Sequence, residues 1–335
     1  MEIQKWLQET MSWQERRAVP IMTHPGIELC GKTVKDAVTS GEVHAEAICR
    51  LNEQYPSAAP TVIMDLTVEA EAFGAKVVFL EDEVPSVTEP LVSDKESIDN
   101  LQIPSLDAGR VPEYLKANRL TAEGIKDKPV FAGCIGPFSL AGRLFGLSEL
   151  MIALYVEPEN IAVLLEKCTR FLIDYTRAIK QTGVHGVIMA EPAAGLISNE
   201  DSILYSTTYV RRVVEAVQDE NFIVILHNCG NAGHCTEAMV QSGAVGLHFG
   251  NKIDMADALA DCPEDRLVMG NLDPVGLFKQ SSSEQVYAET MNLLKNTSQW
   301  KNFVLSTGCD VPPHIPSENI EAFYQALNDF NNRSV

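Results

Sequence analysis

The chain has 335 residues, of which 45% are hydrophobic, and a formal net charge of −20 at pH 7. This length fits one large barrel or two modest domains and supplies ample apolar material for a core. A chain this acidic is a poor partner for nucleic acids or for anionic membrane surfaces, so we expect neither among its partners.

The N-terminal segment predicts an amphipathic helix, because Trp6, Leu7, Met11 and Trp13 recur at helical spacing. We assign residues 1–18 to an N-terminal helical extension. The segment lacks the apolar region of a secretory signal, and eight cysteines are too few in a chain of this length for a disulfide scaffold. The sequence therefore predicts a cytoplasmic protein with reduced thiols.

Short apolar runs alternate with helical patterns along the rest of the chain. The runs that predict strands are 19–24, 61–65, 75–80, 128–134, 185–191, 221–228, 244–249, 266–272 and 301–308. Wholly apolar strands are covered on both faces, which is typical of parallel sheets. The alternation predicts a single (β/α)8 TIM barrel over residues 19–335. An open doubly wound sheet is the alternative, but neither a Gly-x-Gly-x-x-Gly nor a Gly-x-x-x-x-Gly-Lys-Ser/Thr motif supports it.

Between these strands, the segment 79–113 is rich in proline and acidic residues and predicts a long insertion or lid. Helices are predicted within 148–183, with a break at Pro158 and an end at Gly183, and over 201–220, 281–298 and 317–330. Serines at the start of the segment 281–298 provide a capping signal.

Polar side chains stand where several predicted strands end. In a parallel barrel this carboxyl-terminal face holds the functional residues. We expect substrate contacts there from four residues, namely His24, Glu191, His248 and Asp273. His248 is also a candidate fourth metal ligand, and Asp273 precedes a proline, as turn residues commonly do.

The sequence "HNCG" stands at the end of one of these strands and predicts a metal site. His227 and Cys229 are two residues apart, so in an extended strand both side chains project to the same side. Cys309 follows a later strand and offers a third ligand. Zinc accepts one nitrogen and two sulfur ligands, and three protein ligands with one open position are typical of catalytic zinc. A local structural site that adds His234 and Cys235 to the first pair is the rival arrangement.

Several longer motifs resemble the uroporphyrinogen decarboxylase superfamily, and within it the cobamide-dependent methyltransferases. These motifs are "TVEAEAFGA", "GPFSLAGRLFG", "AEPAAGLIS", "HNCG", "GNLDPVGLF" and "STGCDVPPHIPSENIEAF". The resemblance implies a (β/α)8 barrel with zinc on His227, Cys229 and Cys309, which would be the catalytic residues. It further implies methyl transfer to a zinc-bound thiol such as coenzyme M. The methyl donor would be methylcobalamin or another corrinoid, held free or on a partner corrinoid protein.

Two other functions compete with this one. The first is decarboxylation of a tetrapyrrole, which needs a cationic cradle for many carboxylates. The N-terminal arginine motif that serves this purpose in the decarboxylases is missing from "RRAVPIMTHPGIELCGK". The second is a barrel that binds a corrinoid without catalysis. The sequence alone places no arginine at the pocket to receive the sulfonate of coenzyme M, so the acceptor stays open.

Overall fold

Six parallel strands form the main sheet of the computed structural model, which describes residues 2–12 and 15–333. They pair in chain order, β3 through β8. The strands are β1 Val77–Val78, β2 Ser86–Val87, β3 Phe131–Ile135, β4 Gly186–Ala190, β5 Ile223–Asn228, β6 Gly246–Phe249, β7 Leu267–Leu272 and β8 Phe303–Thr307. Almost every residue of β3 to β8 is buried, which explains why their sequences are mostly apolar.

Helices follow the strands and cover the outer face of the sheet. They are α1 Ile3–Thr10, α2 His24–Leu29, α3 Val34–Thr39, α4 Gly41–Gln54, α5 Val68–Ala72, α6 Lys95–Asn100, α7 Val111–Gly124, α8 Pro137–Phe145, α9 Leu147–Val156, α10 Pro158–Gln181, α11 Asn199–Ser202, α12 Thr208–Val217, α13 Thr236–Gln241, α14 Met255–Asp261, α15 Ser283–Asn296 and α16 Ser317–Arg333. A 3₁₀ helix (Pro192–Leu196) and a π-helical segment (Ile203–Thr207) complete the set.

The helix boundaries follow the predicted signals. Proline opens α10, and Gly183, with a φ of 93°, lies just beyond its end. The hydroxyl of Ser282 caps α15 by accepting a hydrogen bond from the backbone N–H of Gln285. The predicted helix over 201–220 is instead divided among α11, the π-helical segment and α12.

Two extended segments, residues 17–23 and 58–66, close the ring between β8 and β3; we call them the closing segments. They make only isolated parallel bridges, Ala18 to Leu305 and Thr61 to Phe131. The strands predicted at 19–24 and 61–65 are therefore not regular strands. Pro20 and Pro60 have no N–H to donate to a ladder, which gives the physical reason. With these segments in place the structure has the predicted TIM-barrel architecture.

The predicted strand at 75–80 does not belong to the barrel. Val77–Val78 pair with Ser86–Val87 as a two-residue antiparallel hairpin. The acidic segment 79–113 contains β2, α6 and the first residues of α7. It is a folded insertion between the second closing segment and β3; we call it the acidic excursion.

The amino-terminal end of the barrel is covered by α1, which is shorter than predicted and ends at Thr10; Trp13 lies outside the described residues. Ile3, Trp6 and Leu7 join a buried cluster of barrel-interior residues. The Trp6 ring meets Phe131 edge-on at 5.6 Å, and its indole N–H donates to the Ala58 carbonyl at 3.2 Å. The division into residues 1–18 and 19–335 stays a prediction, and α1 shares its core with the barrel.

Among the described residues, no single helix is both long and apolar enough to cross a membrane. The pair α8 and α9 meets that criterion only when taken together, and the two helices are bent by 104° at their junction.

Candidate metal centre and cavity

The side chains of His227, Cys229 and Cys309 converge at the carboxyl-terminal end of the barrel; we call them the ligand cluster. One potential ligand atom from each lies within 4.8 Å of the other two. His227 belongs to β5 and Cys229 follows that strand, whereas Cys309 comes two residues after β8. Within residues 2–12 and 15–333 this is the one group of three or more His, Cys, Asp or Glu side chains with such spacing.

Two glycines let the neighbouring loops approach this cluster. A Cβ atom on Gly250 would lie 2.6 Å from Cys229 Cα, and one on Gly308 would lie 2.7 Å from the backbone nitrogen of Asn251. Both distances are too short for any side chain. The loops after β5, β6 and β8 are thus in backbone contact around the cluster.

Asparagine side chains order the loop after β5. Asn228 Oδ1 accepts from the backbone N–H groups of Gly230 and Asn231, both at 3.0 Å. His234 and Cys235 precede α13 and turn toward the carbonyl of Ile197, at 3.1 Å and 3.6 Å respectively. The rival local metal site is therefore not formed.

A chain of hydrogen bonds fixes the tautomer of His227. Its Nδ1 lies 2.7 Å from Nδ1 of His248, the facing residue on β6. His248 Nε2 lies 2.9 Å from the Ser306 hydroxyl, which donates to the Val19 carbonyl at 2.8 Å. Because the Ser306 proton is used on Val19, Ser306 accepts from His248, and His248 Nδ1 in turn accepts from His227. Nε2 of His227 is then an unprotonated lone pair, and it has no hydrogen-bond partner in the described structure.

This arrangement corrects the expectation for His248. The side chain is fully buried behind His227, and both ring nitrogens are engaged within the protein. Burial, together with the adjacent His227, holds the pKa of His248 well below its usual range, so the ring stays neutral. His248 therefore positions His227, and it lies neither on the cavity wall nor among the ligands.

The two cysteines of the cluster share a hydrogen bond, and this contact separates their pKa values. The bond from Cys309 lowers the pKa of Cys229 to about 7, against the opposing effect of burial. The positive charge of Lys252 lowers it further. The same bond, with burial, raises the pKa of Cys309. One sulfur is thus prepared to carry negative charge even without a metal.

Glu191 has a structural role rather than the predicted substrate contact. Its carboxylate accepts from the backbone N–H groups of Phe138 and Ser139, both at 2.8 Å, and from the Ser206 hydroxyl at 3.0 Å. Gly136 leaves room for it, since a Cβ there would lie 2.5 Å from the carboxylate. Glu191 therefore anchors the first turn of α8.

His24 and Asp273 are also used within the protein. His24 begins α2, and its Nδ1 lies 2.8 Å from the Val311 carbonyl and 3.7 Å from Asp310. Burial lowers the pKa of His24, but the combined effects of Asp310, the Val311 carbonyl and Glu28 raise it, and the net shift is upward. Asp273 Oδ1 accepts from the backbone of Val275 and Gly276, both at 2.9 Å, which makes it a turn residue. Neither side chain lines the cavity beside the cluster.

A cavity of about 480 Å³ opens beside Cys229. Its wall is mostly apolar, and it is built from the carboxyl ends of β3 to β6, from α8 and from residues 87–90 of the acidic excursion. The charged residues on this wall are Glu89, Arg143 and Lys252. Arg143 lies within the motif "GPFSLAGRLFG", but the sequence alone does not place it at the cavity.

A parallel α/β barrel with a nitrogen-and-sulfur cluster beside a cavity, at the carboxyl ends of its strands, has the architecture of a barrel enzyme. The chain belongs to the uroporphyrinogen decarboxylase family, whose model, described as uroporphyrinogen decarboxylase (URO-D), matches residues 6–330.

Named relatives within this family include both methyltransferases and decarboxylases. A methylcobamide:CoM methyltransferase from Methanosarcina mazei is 28% identical over 312 residues, covering 89% of this chain and 90% of that protein. A uroporphyrinogen decarboxylase from Serratia proteamaculans is 25% identical over 301 residues, covering 85% and 83% of the two chains. A solved structure of a methyltransferase from Methanosarcina mazei matches with a TM-score of 0.88 at 21% identity, covering 98% of this chain and 99% of that chain.

These comparisons confirm the predicted family resemblance and the predicted barrel. They also confirm the expected enzyme class, a methyltransferase, by the names of the relatives.

Proposed function

We propose that this protein transfers a methyl group from a methylated corrinoid to a small thiol that is activated by zinc. The observation that carries the proposal is the convergence of one imidazole and two thiols beside a cavity at the carboxyl-terminal face. The relatives named as methylcobamide:CoM methyltransferases support the choice of donor and acceptor.

The ligand cluster fits zinc by its chemistry. The unprotonated Nε2 of His227 is buried without a hydrogen-bond partner, as expected of a metal ligand. One imidazole and two thiolates suit a borderline-soft divalent ion, and three protein ligands match catalytic zinc sites. When bound, zinc would supply the Lewis acidity that keeps a coordinated thiol deprotonated at neutral pH.

The protein's own residues supply binding and orientation. His248 and Ser306 hold the His227 ring and its tautomer, and backbone contacts at Gly250 and Gly308 hold the loops around the two cysteines. The apolar wall of the cavity limits water beside Cys229. We assign the small thiol to this interior and place the much larger corrinoid at the cavity mouth, where a partner corrinoid protein would present it.

Decarboxylation of a porphyrinogen is the alternative, because relatives named uroporphyrinogen decarboxylase also match. It is disfavoured here because the described cavity wall offers only two basic residues, Arg143 and Lys252, beside one acidic residue. A substrate with many carboxylates needs a larger set of cations. Residues Cys229 and Cys309 would also have no evident use in that reaction. The cytoplasmic location remains a prediction from composition.

The test combines a metal assay with a methyl-transfer assay on the purified protein. We expect one zinc per chain by elemental analysis. We also expect loss of methylcobalamin absorbance only when a thiol is present, with a methyl thioether detected by mass spectrometry. A zinc-free protein that decarboxylates a porphyrinogen would overturn the proposal, and corrinoid binding without turnover would favour a non-catalytic barrel.

A further inference from the structure

Two of the three side chains in the ligand cluster are thiols that contact each other. The sulfurs of Cys229 and Cys309 lie at most 4.8 Å apart and share a hydrogen bond. A disulfide joins two sulfurs at about 2.05 Å. The remaining gap is short enough for rotations of the two side chains to close it. The pair that offers two ligands to a metal is therefore also placed to form a disulfide.

The fold brings these two cysteines together from different strands. Cys229 follows β5 and Cys309 follows β8. The loop after β6 contacts both positions, because Gly250 packs on the Cα of Cys229 and the neighbouring Asn251 packs on Gly308. These backbone contacts hold the two thiols at one position of the barrel end.

The two thiols differ in their access to small molecules. Cys229 lines the cavity of about 480 Å³, whereas Cys309 is not part of its wall. A molecule that enters the cavity meets Cys229 first, and Cys309 lies beside it as a second thiol. Cys235, the next cysteine along the chain, points instead to the carbonyls of Ala194 and Ile197, both at 3.6 Å. An accessible thiol next to a resolving thiol is the arrangement that thiol–disulfide exchange requires.

We propose that Cys229 and Cys309 undergo thiol–disulfide exchange with small organic disulfides, and that this reaction switches the metal site off. The cavity has a size typical of small-molecule sites, so it admits the disulfide of a small thiol as well as the thiol. Oxidation removes two of the three ligands, and His227 alone does not hold zinc. The control of methyl transfer rests on the proposed function, but the exchange itself stands on the two sulfurs and the cavity.

The exchange takes place in two steps. The thiolate of Cys229 attacks one sulfur of the small disulfide, whose S–S bond breaks as a mixed disulfide forms and the first small thiolate leaves. The thiolate of Cys309 then attacks the Cys229 sulfur, which breaks the mixed disulfide and releases the second small thiolate. The two cysteines lose two electrons to the small disulfide, and their two protons end on the two small thiols. The second step is intramolecular, and the contact between the sulfurs makes it fast.

The exchange is tested first on the sulfurs, without any methyl transfer. Zinc-loaded and chelator-treated protein are each incubated with a slight excess of bis(2-hydroxyethyl) disulfide. We expect the number of free thiols to fall by two from the eight in the chain. Peptide mapping by mass spectrometry should identify a bond between Cys229 and Cys309. The zinc-loaded sample should release its zinc in step with the loss of thiols, and dithiothreitol should restore both thiols.

Single variants separate the roles of the two cysteines. Cys309→Ser should stop the reaction at a mixed disulfide on Cys229, because no resolving thiol remains. Cys229→Ser should leave Cys309 unmodified, because Cys309 does not line the cavity. The double variant Cys30→Ser/Cys49→Ser removes the other two half-buried cysteines and is the matched control. It should form the bond between Cys229 and Cys309 at the wild-type rate.

The outcomes separate this inference from the proposed function. A wild-type protein that stops at a mixed disulfide on Cys229, or that forms a bond between Cys30 and Cys49 with the ligand cluster intact, would overturn the inference. If both proposals hold, methyl transfer is lost on oxidation and returns after dithiothreitol and zinc are added. If no thiol accepts a methyl group, the proposed function fails. The thiol count and the peptide map then still decide the exchange, since neither needs turnover.

Discussion

The barrel wall has two parts that are held together differently. From β3 to β8, continuous parallel ladders join each strand to the next. The closing segments make only isolated bridges to the sheet, and hydrogen bonds from side chains help to hold them in place. Ile63 N–H donates to His44 Nε2 at 2.9 Å, and the backbone of Ile21 hydrogen-bonds the Thr307 hydroxyl. The Asp310 carboxylate accepts from both the backbone N–H and the hydroxyl of Thr23.

This difference separates the residues that perform chemistry from those that complete the ring. The ligand cluster is attached to strands within the ladders, so removing a ligand leaves the backbone pairing intact. The closing segments depend on individual side chains, so single substitutions there should lower stability without altering the cluster. Ser306 connects the two parts, because it contacts both His248 and the Val19 carbonyl.

The largest effect is expected from the ligand cluster. Cys309→Ala or Cys229→Ala should abolish zinc binding and methyl transfer, because two remaining ligands hold the metal poorly. The melting temperature of the metal-free protein should match that of chelator-treated wild type, since the ladders persist. Cys30→Ala, which removes a cysteine outside the ligand cluster, is the control and should retain full zinc. If both ligand variants unfold, the ligand cluster is needed for folding as well as for metal binding, and the contrast with the closing segments is wrong.

The next effect belongs to Arg16, a buried arginine beside the first closing segment. Its guanidinium donates to the carbonyls of Trp300 at 2.7 Å and of Thr297 and Ser298 at 3.0 Å. Arg16→Met should lower the free energy of unfolding by about 2–4 kcal/mol, because buried carbonyls lose a charged donor. Urea denaturation measures this, and zinc content should not change.

Arg17 provides the comparison for that experiment, since it forms a partly exposed ion pair with Glu9 at 3.2 Å. Arg17→Met should cost at most about 1 kcal/mol. If both variants lose the same free energy of unfolding, the burial of Arg16 contributes nothing to stability.

Ser306 tests the connection between the two parts. Ser306→Ala leaves His248 Nε2 without its acceptor. Nothing then keeps the proton of His227 on Nδ1, so its Nε2 is no longer held unprotonated for the metal. We expect zinc affinity to fall by about 10- to 100-fold, the range found when such outer partners are lost. Competition with a chromogenic chelator measures the affinity.

The matched variant is Thr307→Val, which removes a neighbouring hydroxyl that bonds Ile21 but touches neither histidine. It should lower stability and leave zinc affinity unchanged. If both variants bind zinc equally well, the hydrogen-bond chain does not control the metal ligand.

The smallest effect concerns pH. Burial lowers the pKa of His44 to about 3, so the folded protein keeps this ring neutral while the unfolded chain protonates it below its ordinary value of 6.5. Stability from this group is complete above pH 6.5 and is lost as pH falls below it. At pH 5.5 the loss should be about 1.4 kcal/mol.

His44→Gln isolates this contribution, since its amide oxygen can still accept from Ile63 and does not titrate. The difference in unfolding free energy between wild type and variant should shrink from pH 7.5 to 5.5. A constant difference would mean that His44 titrates alike in both states.

The ladder strands and their polar ends were predictable from the sequence, because apolar runs and strand-end residues are local patterns. Cys309 could be joined to His227 only by assuming a barrel. The apolar runs of the closing segments predict regular strands, but the segments form only isolated bridges. Pro20 and Pro60 have no N–H to donate to a ladder, and the effect of that loss appears only when the strand pairing is known. The partnership of His248 with Ser306 joins residues 58 positions apart, and no local pattern announces it. Arg143 was visible in a motif, but its direction toward the cavity depends on the bend between α8 and α9.

The helix α1 has a consequence for the order of assembly. Its Ile3, Trp6 and Leu7 share a buried cluster with Leu267 of β7 and Val304 of β8, which lie at least 260 residues further along the chain. During synthesis the apolar side of α1 therefore stays uncovered until β7 and β8 have emerged from the ribosome. Such long sequence separation slows folding, and it makes the nascent α1 a natural binding segment for chaperones until the last strands arrive.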